Sequence, residues 1–382
     1  MTSKFWLYTH NFTHTGAPLV LAAIARELAA EGLRDQLRIL SWGGLHDQRH
    51  STLQHKLHGD GIECKILQPC QLPPMISPGD RVLLNTVALP ENVIHKALSW
   101  LRDGRLKRLD WFAHESDPET WIQNAFTRSC IKDALNSGLL NFKVPSMRVC
   151  EHYKYWLNFF GDNLSVQCPK VEDGESFYKF NASKVDFSGP LRLALVGAVG
   201  SGNKGHLWLI RFLQDVLCQS PNNSKSMRQI ELKFLGLEEG IYASLSRFVI
   251  EKAQLLLGDK FSWSLSMTRE KMLEELAKSN LLVNCSLKEA FSCVSSEAMC
   301  LGLPLLRMRN GGFEEQLLPD QQNGFDLGDP SPYILPSQIK LMQSIRDPLI
   351  TPQSQLDRMS LSARMHGRNF LDIKYSNWLL NK

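Results

Sequence analysis

The sequence predicts an α/β protein of two parallel sheets flanked by helices, and three observations carry that expectation. Short apolar runs alternate with helical patterns from end to end, as repeated strand–helix units do. The chain has 382 residues, too many for one ordinary hydrophobic core. A stretch rich in turn formers, from Val171 to Pro190, divides the alternation into two halves.

In the first half the strand candidates are Phe5–Tyr8, Leu37–Leu40, Val82–Leu84, Leu109–Phe112 and Phe142–Val144. In the second half they are Leu191–Val196, Leu232–Leu235, Phe261–Trp263, Leu281–Val283 and Leu303–Leu306. Pro18 suits the opening turn of a helix running to about Glu31, where Leu21, Ile24 and Leu28 share one face. Ser360 to Lys382 reads as helix. The boundary is expected near residue 188, giving segments 1–188, 189–365 and a C-terminal helix 366–382.

A hydrophobic content of 43% with 21% charged residues is that of a soluble globular protein. Lys and Arg exceed Asp and Glu by only 43 to 39, and no dense basic stripe runs through the chain, so nucleic acid is not an expected partner. The local cluster Arg102 to Arg108 reads as a solvated helix end, with contact to an anionic surface as its alternative. Nine cysteines without a C-x-x-C pair suit reduced thiols in a cytoplasmic setting. No apolar run reaches the roughly 20 residues of a membrane span, which leaves peripheral membrane contact as the most to expect.

Three loops at predicted strand ends carry the chemistry. Leu193 to His206 reads as a strand, a flexible loop Gly197-Ala198-Val199-Gly200-Ser201-Gly202-Asn203-Lys204-Gly205, and then a helix. Glycines let the backbone approach a phosphate, a helix N-terminus offers free N–H donors, and Lys204 adds a full charge. In the N-terminal half, Trp111-Phe112-Ala113 ends in His114-Glu115, at the carboxyl edge where α/β sites collect. His10 and His14, in the loop after the first strand, read as polar loop residues or acceptor-side groups.

Glu289 and Glu297 form the third feature. On one helix they would stand about 12 Å apart along the axis and about 80° apart around it, too far to grip one small group. A turn carrying Glu289 and a helix carrying Glu297 in its early turns could fold both toward one crevice.

The stretch Cys285 to Met299 resembles the Glu-x7-Glu signature of the retaining glycosyltransferases of family 4. The match includes Ser286 before Lys288-Glu289, Phe291, Ala298-Met299, Gly302 and Pro304. Gly311-Gly312-Phe313-Glu314-Glu315 is similar to that family's Gly-Gly-x-x-Glu loop, and Thr15-Gly16-Ala17-Pro18 to its first glycine-containing loop.

The resemblance implies the GT-B fold, with two Rossmann-like domains facing each other across a cleft. It implies an acceptor-binding N-terminal domain, a nucleotide-sugar-binding C-terminal domain, and a final helix crossing back to the first. Glu289 and His114 take catalytic roles, and Gly16, Lys204, Gly202, Phe291, Ser292 and Glu297 bind the donor. Glu297 holds the ribose hydroxyls and Glu289 those of the sugar, while Arg307, Glu315 and Glu115 are supporting candidates. The expected partners are a nucleoside diphosphate sugar and a glycan, lipid-linked or small-molecule acceptor.

No cofactor or metal is expected, and no conspicuous Asp-x-Asp motif occurs. The sequence departs from the family at Ala198, where an Arg grips the diphosphate, and at Ala290 and Ser292, where glycines are common. Those departures favour the alternative of a non-catalytic GT-B binding protein. A nucleotide-sugar epimerase or a phosphorylase is the other alternative.

Overall fold

The computed structural model of the chain describes residues 3–13, 16–43, 48–172, 185–218, 228–236, 243–330 and 346–380, with the backbone alone at 48–52. His14, Thr15 and most of the turn-rich stretch, residues 173–184, lie outside them. Residue contacts divide the chain into one unit of residues 1–172 with 372–382, and a second of residues 173–371.

The first unit holds a seven-stranded sheet of β1 (Phe5–Thr9), β2 (Leu37–Ser41), β3 (Glu63–Ile66), β4 (Arg81–Leu84), β5 (Leu109–Phe112), β6 (Leu140–Val144) and β7 (Leu164–Val166). Its order is β3-β2-β1-β4-β5-β6-β7, with every pairing parallel. The central strands are mostly apolar, as strands covered on both faces must be, and β1 is buried at all its residues. Helix Gly16–Leu28 lays Val20, Leu21, Ile24 and Leu28 into this core. It stops short of Glu31, and a wider turn, Ala29–Leu33, follows, with Gly32 at φ 87°.

The second unit holds a six-stranded sheet of β8 (Leu191–Val196), β9 (Ile230–Gly236), β10 (Phe261–Leu265), β11 (Leu281–Asn284), β12 (Leu305–Met308) and β13 (Gly324–Gly328). Its order is β10-β9-β8-β11-β12-β13, again wholly parallel. The strand expected at Leu303–Leu306 runs Leu305–Met308 instead. Pro304 has no N–H for the ladder, and only its carbonyl takes part, accepting from Leu282. This shift puts Arg307 inside a buried strand.

The C-terminal stretch is two helices rather than one. Helix Gln353–Leu371 packs on helix Cys293–Cys300 in the second unit, where Gly367 permits contact: a Cβ there would lie 2.5 Å from the Cys300 nitrogen. After a break, helix Tyr375–Leu379 belongs to the first unit. Tyr375 and Leu379 are buried in that unit's core, the Tyr375 hydroxyl accepts from the Lys170 N–H at 2.6 Å, and Ser376 N–H donates to Glu27 Oε1 at 2.8 Å. Among the described residues no helix is long and apolar enough to cross a membrane.

Candidate functional site

In a parallel sheet, ligand sites form where two adjacent strands send their connections to opposite sides. In the second unit that place lies between β8 and β11, and the loops leaving these strands carry Lys204 and Glu289.

The loop after β8 needs glycine at defined points. Gly197 has φ 148°, and a Cβ on it would lie 2.7 Å from Lys204 Cγ, so the bare backbone lets the lysine stem lie against it. Gly205, at φ 73°, presses onto the next strand's exit, where a Cβ would stand 2.1 Å from the Cys285 carbonyl oxygen. Between them Asn203 clamps the two loops together. Its carbonyl accepts from Leu287 N–H at 2.7 Å, its Oδ1 from Lys288 N–H at 2.9 Å, and its Nδ2 donates to the Lys288 carbonyl at 3.0 Å.

The clamp brings Lys204 Nζ to 2.8 Å from Glu289 Oε2. The carboxylate beside it raises the lysine pKa against the opposing effect of burial, so Lys204 is held charged.

Glu297 stands on helix Cys293–Cys300, whose first turn is capped by Ser292: its Oγ accepts from the Ser295 N–H and hydroxyl at 3.3 and 2.9 Å. Only 6% of Glu297 is exposed, and a carboxylate so buried requires a charged partner. Arg269 supplies it, with Nε and Nη2 donating to Glu297 Oε1 at 3.0 and 2.6 Å. The thiol of Cys293 lies among these groups. Burial first, then the charges of Glu297 and Glu289, raise its pKa to about 12, with Arg269 and Lys204 pulling the other way. The thiol is therefore a neutral wall of the site at ordinary pH.

The loop after β12 braces the same assembly. Gly311 N–H donates to the Glu289 carbonyl at 2.9 Å, and a Cβ on Gly311 would meet that oxygen at 2.3 Å. Gly312 abuts Phe291, which is buried and packs near Phe370. Gln316 donates to the Ser292 carbonyl at 2.8 Å and the Ser296 hydroxyl at 2.6 Å. Arg307 is wholly buried and bonds to Gln316, Asn310 and the Gly311 carbonyl, so it props the loop from within. Glu315 is half-buried and its carbonyl accepts from His366 Nε2 at 2.7 Å. Gly202, at φ 71°, needs glycine for its backbone alone, since a Cβ there would touch nothing.

In the first unit, His114 and Glu115 follow β5 beside the exits of β1 and β4. Asn85 fixes the histidine. Its Nδ2 donates to the Ala17 carbonyl at 2.8 Å, so its Oδ1 is an acceptor and His114 Nε2, 3.1 Å away, carries the proton. Burial, then the neighbouring His10, lowers the His114 pKa to about 3, which leaves a neutral ring with Nδ1 as its acceptor. Glu115 is a tie between strand ends: it accepts from Val87 and His114 N–H groups, each at 3.0 Å, and from the Thr86 hydroxyl. Burial raises its pKa despite those bonds. Gly16 opens helix Gly16–Leu28 and is exposed, with open space where a Cβ would stand.

The structure thus brings together Lys204, Glu289, Phe291, Ser292 and Glu297, and separately His114 and Glu115. Arg269 and Asn203 were not foreseen from sequence. Asn203 had a local signal, an amide between Gly202 and Lys204 in the glycine-rich loop; Arg269 had only its place after a strand and the capping Thr268.

Residues 196–335 match the family model described as glycosyl transferases group 1, a region containing the loop after β8, both glutamates and Glu315. Solved structures resemble the chain along its whole length. HepE of Anabaena in complex with UDP and glucose is 16% identical, with a TM-score of 0.71 over 100% of this chain and 98% of that one. Sucrose-phosphate synthase of Thermosynechococcus elongatus is 15% identical, with a TM-score of 0.66 over 100% and 97%. A glycosyltransferase of Rickettsia africae is 15% identical, with a TM-score of 0.63 over 98% and 95%. No curated protein sequence matches the chain. The fold is GT-B, built of two Rossmann-like units. On that frame the second unit carries the glycosyl transferases group 1 region.

Proposed function

We propose that the protein is a retaining glycosyltransferase of family 4, moving a sugar from a nucleoside diphosphate donor to a glycan, lipid-linked or small-molecule acceptor. The observation that carries this reading is the meeting of Lys204, Glu289, Glu297 and Arg269 where the loops from β8, β10 and β11 converge. In the proposed reaction Glu297 accepts hydrogen bonds from the ribose and Glu289 from the donor sugar. As the sugar–phosphate bond breaks, charge grows on the leaving diphosphate. Lys204 and the main-chain N–H groups of Gly200 to Gly202 offset it, a contribution worth most where donors are preorganised. Phe291 and Ser292 shape the donor pocket, and Glu315 supports it.

HepE was solved with UDP and glucose, which makes uridine diphosphate sugars the first donors to test. The proposed chemistry uses no metal, so chelation with EDTA should leave the rate unchanged. The reading places the protein in the cytoplasm, with peripheral membrane contact if the acceptor is lipid-linked; all nine cysteines are free thiols, as a reducing compartment would keep them.

The test is release of nucleoside diphosphate from a panel of donors by purified protein, with the anomeric configuration of the product read by NMR. Retention, together with loss of turnover by about a hundredfold or more in Glu289→Ala, is the expected result. Inversion would remove the family 4 reading. Ala198 favours one second reading, a GT-B protein that binds nucleotide without turnover; nucleotide binding with no hydrolysis or transfer would support it. Conversion of the donor sugar without an acceptor would instead identify an epimerase.

A further inference from the structure

We propose that Arg269 is a donor-binding residue, supplying to the diphosphate the guanidinium that Ala198 does not. This assignment rests on the donor reading above and goes beyond it, because that reading gives Arg269 a contact with Glu297 and none with the donor.

The first support is topological. Arg269 opens the helix Arg269–Leu276 after β10, an edge strand, whereas its partner Glu297 follows β11. Strands β9 and β8 lie between these two, and adjacent strands are about 4.8 Å apart, so the two exits are separated by roughly 14 Å. To reach Glu297 the chain after β10 turns inward across the ends of β9 and β8. The ladder between β10 and β9 ends with Ser266 N–H donating to the Gly236 carbonyl at 2.7 Å, and Ser266 itself leaves the extended conformation, with a left-handed backbone at φ 58°. Gly236 in turn backs onto Gly197, where a Cβ would lie 2.3 Å from the Gly197 oxygen. The line from Arg269 to Glu297 therefore crosses the exit of β8, where Gly197 and Ala198 begin the phosphate loop.

The second support is charge. Two carboxylates and two cations surround Cys293: Glu289, Glu297, Lys204 and Arg269 all act on its thiol. A bound diphosphate adds at least two negative charges to that balanced set, and Lys204 is a single cation. Other arginines at this edge are committed elsewhere: Arg307 is wholly buried with Gln316, Asn310 and Gly311, and Arg309 pairs with Asp326. The Arg269 side chain is 14% exposed against 9% for Glu297, so its guanidinium is not sealed off from a ligand. When ribose hydroxyls donate to Glu297, the planar fork of Arg269 can bridge that carboxylate and a phosphate oxygen, which an ammonium cannot do with the same geometry.

The test separates a phosphate contact from simple support of Glu297. Wild type, Arg269→Lys and Arg269→Ala are titrated calorimetrically with UDP, GDP and ADP and with uridine, guanosine and adenosine. For the base that wild type binds, Arg269→Lys, which keeps a cation beside the buried Glu297 carboxylate, should lose about tenfold or more in diphosphate affinity and less than about threefold in nucleoside affinity, whereas Arg269→Ala, which leaves that carboxylate unpaired, should lose affinity for both. Retained nucleoside binding also reports a folded site. Adding Ala198→Arg to Arg269→Lys should recover most of the diphosphate affinity. Equal losses for nucleoside and diphosphate in Arg269→Lys, no loss in either, or no recovery with Ala198→Arg would overturn the assignment. If wild type binds none of the three diphosphates, the donor reading itself fails and takes this assignment with it.

Discussion

At the scale of single residues, the site is defined by carboxylates that are each held by a cation. Glu289 and Glu297 were legible in the sequence because seven residues, a turn and a helix start place them in one local motif, and Lys204 because glycines surround it. Arg269 was not legible, since its partner is 28 positions away and no local pattern records a tertiary ion pair. Two buried histidines give a pH test at this scale. Burial, then Lys204, lowers the His206 pKa to about 3, as burial and His10 do for His114, against 6.5 for a solvated imidazole. Between those values these two histidines bind more protons in the unfolded chain than in the folded one, so their contribution to stability is full above pH 6.5 and falls as the pH drops toward 3. Urea denaturation at pH 7 and pH 4.5 should show that the change in stability between the two is less unfavourable in His206→Leu than in wild type. An unchanged difference would mean that His206 titrates normally in the fold.

At the scale of elements, what the sequence concealed was mostly at sheet edges. The central strands β1 and β11 read clearly because burial on both faces demands apolar runs, and β5 and β8 do so with one charge each, Asp110 and Arg192, among apolar residues. The edge strands β3, β7 and β13 did not: β3 alternates Glu63, Cys64, Lys65 and Ile66, β7 spans only Leu164–Val166, and β13 begins and ends in glycine. Charged or short edges protect a sheet from unwanted pairing, and the same traits hide them from pattern reading. Arg307 illustrates the limit: a charge near a strand end reads as exposed until Pro304 is seen to delay the ladder. The contact between the loop after β8 and the exit of β11 also has a direct test. Gly205→Ala combines a left-handed backbone with a 2.1 Å approach to a carbonyl oxygen, and should cost roughly 2–4 kcal/mol in chemical denaturation. A cost under about 0.5 kcal/mol would show that the two loops are not tightly joined.

At the scale of the whole molecule, the chain's two units are linked covalently twice, because the segment after Leu371 rejoins the first unit. Tyr375 is its anchor, fully buried with its hydroxyl bonded to the Lys170 N–H. Tyr375→Ala should destabilise the protein by about 3–5 kcal/mol, as loss of a buried aromatic side chain does, and a scanning calorimetry transition unshifted from wild type would contradict that role. The central claim is that the second unit binds a nucleoside diphosphate through Glu297. Calorimetric titration of UDP, GDP and ADP, and of their nucleosides, into wild type and Glu297→Gln tests it most directly. The account predicts that wild type binds one diphosphate and that the variant loses about 10- to 100-fold for both that diphosphate and its nucleoside, because a charged acceptor of ribose hydroxyls is gone. Equal affinities in wild type and variant would contradict it.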